Sequence, residues 1–454
     1  MSTKLSSILN NSYVYIFPFI FIALPVLLNE YPLWDGAVLV YGAEIGNSLV
    51  VKHWFLETGT PIIYSFHSIV YFLIRSLSLN ALFIYSFLTI LFLSFILFSI
   101  KNTFCDFNRG KKSESIIFSI MFVALPFWSI FLSSIMVNYA LVYSMVFLSF
   151  YFLVSKKLLV SFLFFVLASD NGISYVIHLL LFVFYISNLD PITFKSEIRE
   201  KCKYYFFYYL SALAMFGLMS LIFNVHGEYS EYNKIIWDNL YLFFLDKGII
   251  LKIGYFFPIF LCFLFSKSRI KYISLFILSI GLIGVFYLAG KANYIGFPVY
   301  PWFARFDVAF YLFLFLLCYH YFFTEKNLYL KALMLICYCI CLFPLKYAVD
   351  YALSDNLTKL DVFYSESPQI ERMKAYAFDF LGGAYFEKNY HIFNRYGEVN
   401  GVSVETLGYL DKQCNIDSEY SVLFVCDNID MTNGYEIIKI DNDVTVSYGR
   451  LYGW

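Results

Sequence analysis

The stretch Ala81-Leu-Phe-Ile-Tyr-Ser-Phe-Leu-Thr-Ile-Leu-Phe-Leu-Ser-Phe-Ile-Leu-Phe-Ser-Ile100 contains no charged residue. A helix of that length spans about 30 Å, the thickness of a bilayer's hydrocarbon core. Working outward, comparable apolar runs recur along the chain, and eleven transmembrane segments are expected: 13–29, 81–100, 116–133, 136–154, 158–169, 172–189, 205–224, 249–266, 272–289, 308–323 and 329–348. The fifth is short and is interrupted by Ser169-Asp170-Asn171-Gly172, a break tolerated where the span packs inside the bundle.

The bulk composition agrees. Of 454 residues, 60% are hydrophobic, 22% aromatic and 14% charged, against about 25% charged in a soluble domain. With 54 Phe and 41 Tyr, a monomer in water would expose large apolar patches. A net charge of −1 offers no basic field for nucleic acid, and the apolar content excludes a disordered chain. Lys4 precedes an apolar run from Tyr13 to Leu28 with no small-residue cleavage site after it, which is expected to be a retained first span.

Charge sets the expected orientation. Fifteen basic residues, among them Lys101, Arg109, Lys111, Lys112, Lys156, Lys157, Lys267, Arg269 and Lys271, fall on one side. Seven fall in loops on the other: Lys52, Arg75, Lys234, Lys247, Lys252, Lys291 and Arg305. The positive-inside rule places the richer side and the N-terminus in the cytoplasm, and an odd span count places the C-terminus outside. Residues 30–80 then form a long external loop with two interfacial helices, 36–57 and 61–80.

After residue 349 the composition changes, dividing the chain into a transmembrane domain, 1–349, and a small external α+β domain, 350–454. Ser367-Pro368 opens an expected helix through Phe380. Tyr420–Cys426, Tyr435–Ile440 and Val444–Tyr448 alternate as strands, with Asn433-Gly434 as a turn signal between the first two. An oxidising compartment would allow a disulfide between Cys414 and Cys426. Cys337, Cys339 and Cys341 alternate within one span, which fits packing better than a metal site.

The ionisable residues expected near the outer face fall in two clusters. One is Trp34-Asp35-Gly36 with Glu44, Lys52, His53, Glu57 and His67; the other is Lys291, Arg305 and Asp307. Charges at membrane depth are costly and default to functional hypotheses. Each also has a structural reading: Asp35 as a helix N-cap, His53 and His67 as caps or snorkelling side chains, Arg305 as an interfacial anchor beside Trp302, and Asp170 as the end of a broken helix.

The acidic residue in Leu33-Trp34-Asp35-Gly36, just after the first span and heading a long external loop, resembles the GT-C superfamily of integral membrane glycosyltransferases. That superfamily includes the protein O-mannosyltransferases and the lipid A aminoarabinose transferases. The segment Tyr64-Ser-Phe-His67-Ser-Ile-Val-Tyr-Phe-Leu73 keeps the His and the following helix of a His-or-Lys-Pro-Pro-Leu motif but replaces both prolines. The resemblance implies inverting transfer of a sugar from a polyprenyl-phosphate carrier to an envelope glycan or glycolipid at the outer face. It implies Asp35 as general base; the leaving phosphate needs cationic stabilisation, for which Arg305 and Lys291 are the candidates with Lys52 or Arg75 in reserve, and Glu44, His53 and His67 are further candidate substrate or donor contacts. No cofactor is required; a divalent metal would need Glu44 to approach Asp35. A flippase and a cytoplasmic-face donor synthase would supply the donor. Abundant Phe, Ile, Tyr, Asn and Lys suits an AT-rich bacterial surface-polysaccharide or lipopolysaccharide locus, hence the inner membrane with a periplasmic C-terminus. A eukaryotic lumenal enzyme would use the sequon Asn356-Leu-Thr358.

Two other classes remain. An O-antigen-type polysaccharide polymerase would be expected to carry Arg-rich external loops. A polysaccharide transporter or flippase would show inverted repeats, broken helices and paired midplane charges.

Overall fold

The computed structural model describes residues 14–29, 36, 39–40, 43, 51–56, 59–104, 112–169, 173–188, 205–211, 214, 217, 237–245, 247–288, 304–366, 420–426, 436–439 and 445–451. In chain order the helices are α1 (Val14–Leu27), α2 (Pro61–Leu77), α3 (Ala81–Phe104), α4 (Lys112–Val123), α5 (Val137–Val154), α6 (Leu158–Leu167) and α7 (Ile173–Ser187). They continue with α8 (Asp238–Leu245), α9 (Lys247–Tyr255), α10 (Phe257–Leu264), α11 (Arg269–Leu288), α12 (Ala304–Thr324) and α13 (Leu328–Glu366). The chain is a helical protein with membrane-spanning character. Among the described residues four segments are long and apolar enough to cross a bilayer: Ala81–Phe104, Ser134–Val154, Asp307–Thr324 and Leu328–Tyr351.

Helix α5 is the axis of the bundle. From Ala140 to Phe150 every side chain is buried, against α3, α6 and α7 among others. Helix α12 is buried almost as completely, from Asp307 to Tyr319. The outer helices reverse the pattern of a soluble protein. Along α13, Leu333, Ile336, Ile340, Phe343 and Tyr347 form an exposed apolar stripe at helical spacing, while Met334, Tyr338, Cys341 and Leu345 face the core. A helix apolar on both its inner and outer faces belongs in lipid.

Three elements differ from the expected spans, each with a local cause. The run 116–133 is not one helix: α4 ends at Val123 and the chain continues through two 3-10 turns, Trp128–Leu132 and Ser134–Met136, into α5. Pro126 disfavours helical backbone at Leu125 and supplies no N–H. The run 249–266 is two helices, α9 and α10, parted at Phe256, with Pro258 in the first turn of the second. Helix α13 continues beyond 348 to Glu366, with Pro344 inside it.

The three C-terminal strands, β1 (Tyr420–Cys426), β2 (Glu436–Lys439) and β3 (Thr445–Leu451), form an antiparallel sheet in the order β1-β3-β2. Tyr420 pairs with Leu451 and Cys426 with Thr445, while Glu436 pairs with Tyr448. β3 therefore lies between β1 and β2, so the two strands that flank Asn433-Gly434 in the sequence are not neighbours in the sheet. The helix expected at 367–380 and Cys414 lie outside the described residues.

Candidate functional site

The start of α5 gathers the polar groups. Residues Ser133–Met136 enter the helix in a tight turn, with Ser133 extended at φ −79° and ψ 126°. Gly36 packs on this turn so closely that a Cβ there would lie 2.5 Å from the Ser134 amide nitrogen and 3.1 Å from that of Ile135. Only glycine permits that approach. Just before the turn, the Asn29 side chain at the end of α1 donates to the Leu132 carbonyl at 3.1 Å.

The second residue of α5 is Asn138, whose Oδ1 lies 2.5 Å from Nε2 of His67 on α2. The other ring nitrogen, Nδ1, is 3.0 Å from the hydroxyl of Tyr85 on α3. Since Oδ1 can only accept, Nε2 carries the proton and Nδ1 accepts from tyrosine. Phe55 stacks on the ring at 4.5 Å. The ring is fully buried, and burial lowers its pKa to about 4, partly opposed by the Asn138 hydrogen bond. His67 is thus a neutral tie among α2, α3 and α5, with both nitrogens engaged.

A further turn along stands Tyr143, buried like Asp307 at the start of α12. Asp307 forms a buried ion pair with Lys252 of α9; both side chains are almost wholly excluded from solvent. The pair engages Oδ2, and among the described residues Asp307 Oδ1 and the hydroxyls of Tyr143 and Tyr311 have no hydrogen-bond partner. A second acidic group, Asp350 on α13, accepts from Ser129 and pairs with Lys346 at 2.9 Å.

Of the residues singled out from sequence, Asp35, Glu44, Glu57, Asp170, Lys291 and Cys414 lie outside the described residues. His53, Arg305 and Cys426 fall on the π turn Lys52–Leu56, on α12 and on β1, with their side chains outside the description. Lys52 is exposed on that π turn, and Arg75 is exposed in the last turn of α2. Asp307, expected in the second cluster, is the buried member of an ion pair. Sequence reasoning counted Lys252 only as an external charge. A single Lys inside Gly248-Ile-Ile-Leu-Lys252-Ile-Gly254 was the signal for its burial. Among the described residues no three His, Cys, Asp or Glu side chains form a group that could hold a metal.

Comparison of the chain with protein-family models, with curated proteins and with solved structures finds no match.

Proposed function

We propose that the chain is an eleven-span, GT-C-like glycosyltransferase of the bacterial inner membrane, with a small periplasmic α+β domain. It would move a sugar from a polyprenyl-phosphate carrier to an envelope glycan or lipid. The observation that carries this reading is the fit of Gly36 against Ser134 and Ile135, which no larger residue would allow. It sets Gly36, the residue that follows Asp35 in the sequence, against the entrance of α5, the helix that also bears Asn138 and Tyr143.

In the proposed reaction the acceptor hydroxyl oxygen attacks the anomeric carbon and forms the new glycosidic bond. The bond from that carbon to the carrier phosphate breaks with its electron pair, and polyprenyl phosphate leaves. The hydroxyl proton passes to the Asp35 carboxylate, acting as general base. Cationic groups stabilise the leaving phosphate in a partly desolvated site; Arg305 and Lys291 are assigned that role, with Lys52 or Arg75 in reserve, while His53 and Glu44 are assigned to substrate contacts. His67 is assigned to holding α2 in place, because its two nitrogens already have partners.

The test is transfer from radiolabelled polyprenyl-phosphate sugars to envelope glycolipid in membranes carrying wild type or Asp35→Asn. Asn retains an N-cap but cannot take a proton. Transfer by wild type and its loss in a normally inserted Asp35→Asn protein supports the reading; equal transfer by both removes Asp35 as base. A second reading, transport of a lipid-linked glycan, is favoured by the Lys252–Asp307 pair, which ties the interrupted segment α9–α10 to α12. Wild-type protein that transfers no sugar from any donor but moves lipid-linked glycan across vesicles would support it.

A further inference from the structure

A groove of about 470 Å³ runs between α1 and α3, with α4 and Trp128 behind it, and its walls are almost wholly apolar. On α3 it is lined by Ile90, Leu93, Ser94 and Leu97, one helical face at spacings of three and four. The next position on that face is Lys101. The Lys101 ammonium lies 4.9 Å over the ring of Tyr15, which lines the groove from α1. One end of an apolar channel is therefore marked by a cation, and the sequence beyond it, with Asp106, Arg109, Lys111 and Lys112, is net basic.

The dimensions match a lipid. Lys101 is eleven positions beyond Ile90, about 16 Å of helix, and one leaflet's share of the hydrocarbon core is about 15 Å. The single hydroxyl on the α3 wall, that of Ser94, donates back to the Ile90 carbonyl at 2.8 Å, so it makes no demand for water in the groove. Opposite, the π turn Phe19–Ala23 widens α1 after Pro18 and presents the small side chain of Ala23. Phe19 and Ile20 are about half exposed on the groove's rim, which keeps it open to the bilayer.

We propose that this groove holds one acyl chain of an anionic glycerophospholipid, with its phosphate seated at Lys101. The chain lies along the Ile90–Leu97 face and the headgroup reaches the basic end. This inference stands apart from sugar transfer: the ligand is a resident lipid, and neither Asp35 nor Arg305 enters it.

Trp128 supplies the probe. The full chain is reconstituted in vesicles in which either phosphatidylglycerol or phosphatidylcholine carries brominated acyl chains, and the quenching assigned to Trp128 is the difference between wild type and Trp128→Phe. One lysine at a membrane surface corresponds to about a fivefold preference for the anionic lipid. The expected result is that preference in wild type and in Lys101→Arg, and its loss in Lys101→Gln. Equal quenching by the two lipids overturns the proposal, as does a preference that survives in Lys101→Gln. Inorganic phosphate at constant ionic strength is the competing arm: if it abolishes the preference, the site recognises the free anion and the lipid assignment fails.

Discussion

His67 Nε2 donates to Asn138, so Nδ1 must accept from Tyr85, and the ring is held as a single neutral tautomer inside an apolar site. Its pKa of about 4 in the folded protein lies below its ordinary value of 6.5. Protons therefore favour the unfolded chain between those values: the full contribution is present above pH 6.5 and is lost as pH falls toward 4, on the order of 3 kcal/mol in all. Thermal unfolding in detergent across that range is expected to show a steeper loss for wild type than for His67→Gln. Asn138→Leu removes the acceptor of a buried N–H and is expected to cost about 1–3 kcal/mol at neutral pH. The Lys252–Asp307 pair behaves differently. Lys252→Met leaves a buried carboxylate unpaired and is expected to cost about 3–5 kcal/mol, whereas Lys252→Met with Asp307→Leu is expected to recover most of that loss. A double-mutant cycle on unfolding midpoints reads the difference. At Gly36 the added methyl of Ala meets backbone, not a flexible side chain, so the turn before α5 must shift. Gly36→Ala is expected to destabilise by about 1–3 kcal/mol.

Helices α5, α6 and α7 and the helical segment 205–211 are joined by a second polar cluster. Ser149 Oγ lies 2.6 Å from the Tyr208 hydroxyl and 3.2 Å from His178 Nε2, while His178 Nδ1 meets the Tyr205 hydroxyl at 3.0 Å. Ser161 closes the cluster on Tyr208 at 2.9 Å. Hydrogen bonds between helices in lipid average about 0.6 kcal/mol each, and His178→Phe removes two of them. It is expected to lower the unfolding midpoint by a few degrees without preventing insertion. Of these elements the sequence made the long apolar helices legible, because α3, α5, α12 and the first part of α13 are continuous hydrophobic runs. It also carried the breaks, in Pro126 and Pro258, which a hydropathy window averages away. The partner of His67 was not legible: Asn138 is 71 residues distant, and nothing local marks which asparagine will face which histidine. Strand pairing was hidden for the same reason, since Asn433-Gly434 announces a turn but not which strand lies beside β2. Asp35 was legible as a candidate because an acidic residue stood at the head of a loop. The Lys252–Asp307 pair was not, because Asp307 stood in the second cluster while Lys252 counted only as an external charge.

At the scale of the whole molecule, the expected topology puts the basic loops in the cytoplasm and the start of α5 at the outer face. A cysteine placed at Ser78, the left-handed residue that ends α2, is then expected to react with an impermeant maleimide in intact cells. One placed at Asn327, between α12 and α13, is expected to react only after permeabilisation. The opposite pattern would invert the orientation and remove Asp35 from the outer face. Helix α13 adds a mechanical property. Its 39 residues extend about 58 Å, nearly twice the hydrocarbon core. Pro344 stands about 24 Å from its first residue, close to where the helix leaves the apolar layer, and denies the Ile340 carbonyl its helical donor. Leu345, Val349 and Asp350 still pack on the bundle beyond it, so the lever begins near Tyr351 and is about 22 Å long. A change in bend of about 20° there swings the Glu366 end sideways by about 8 Å.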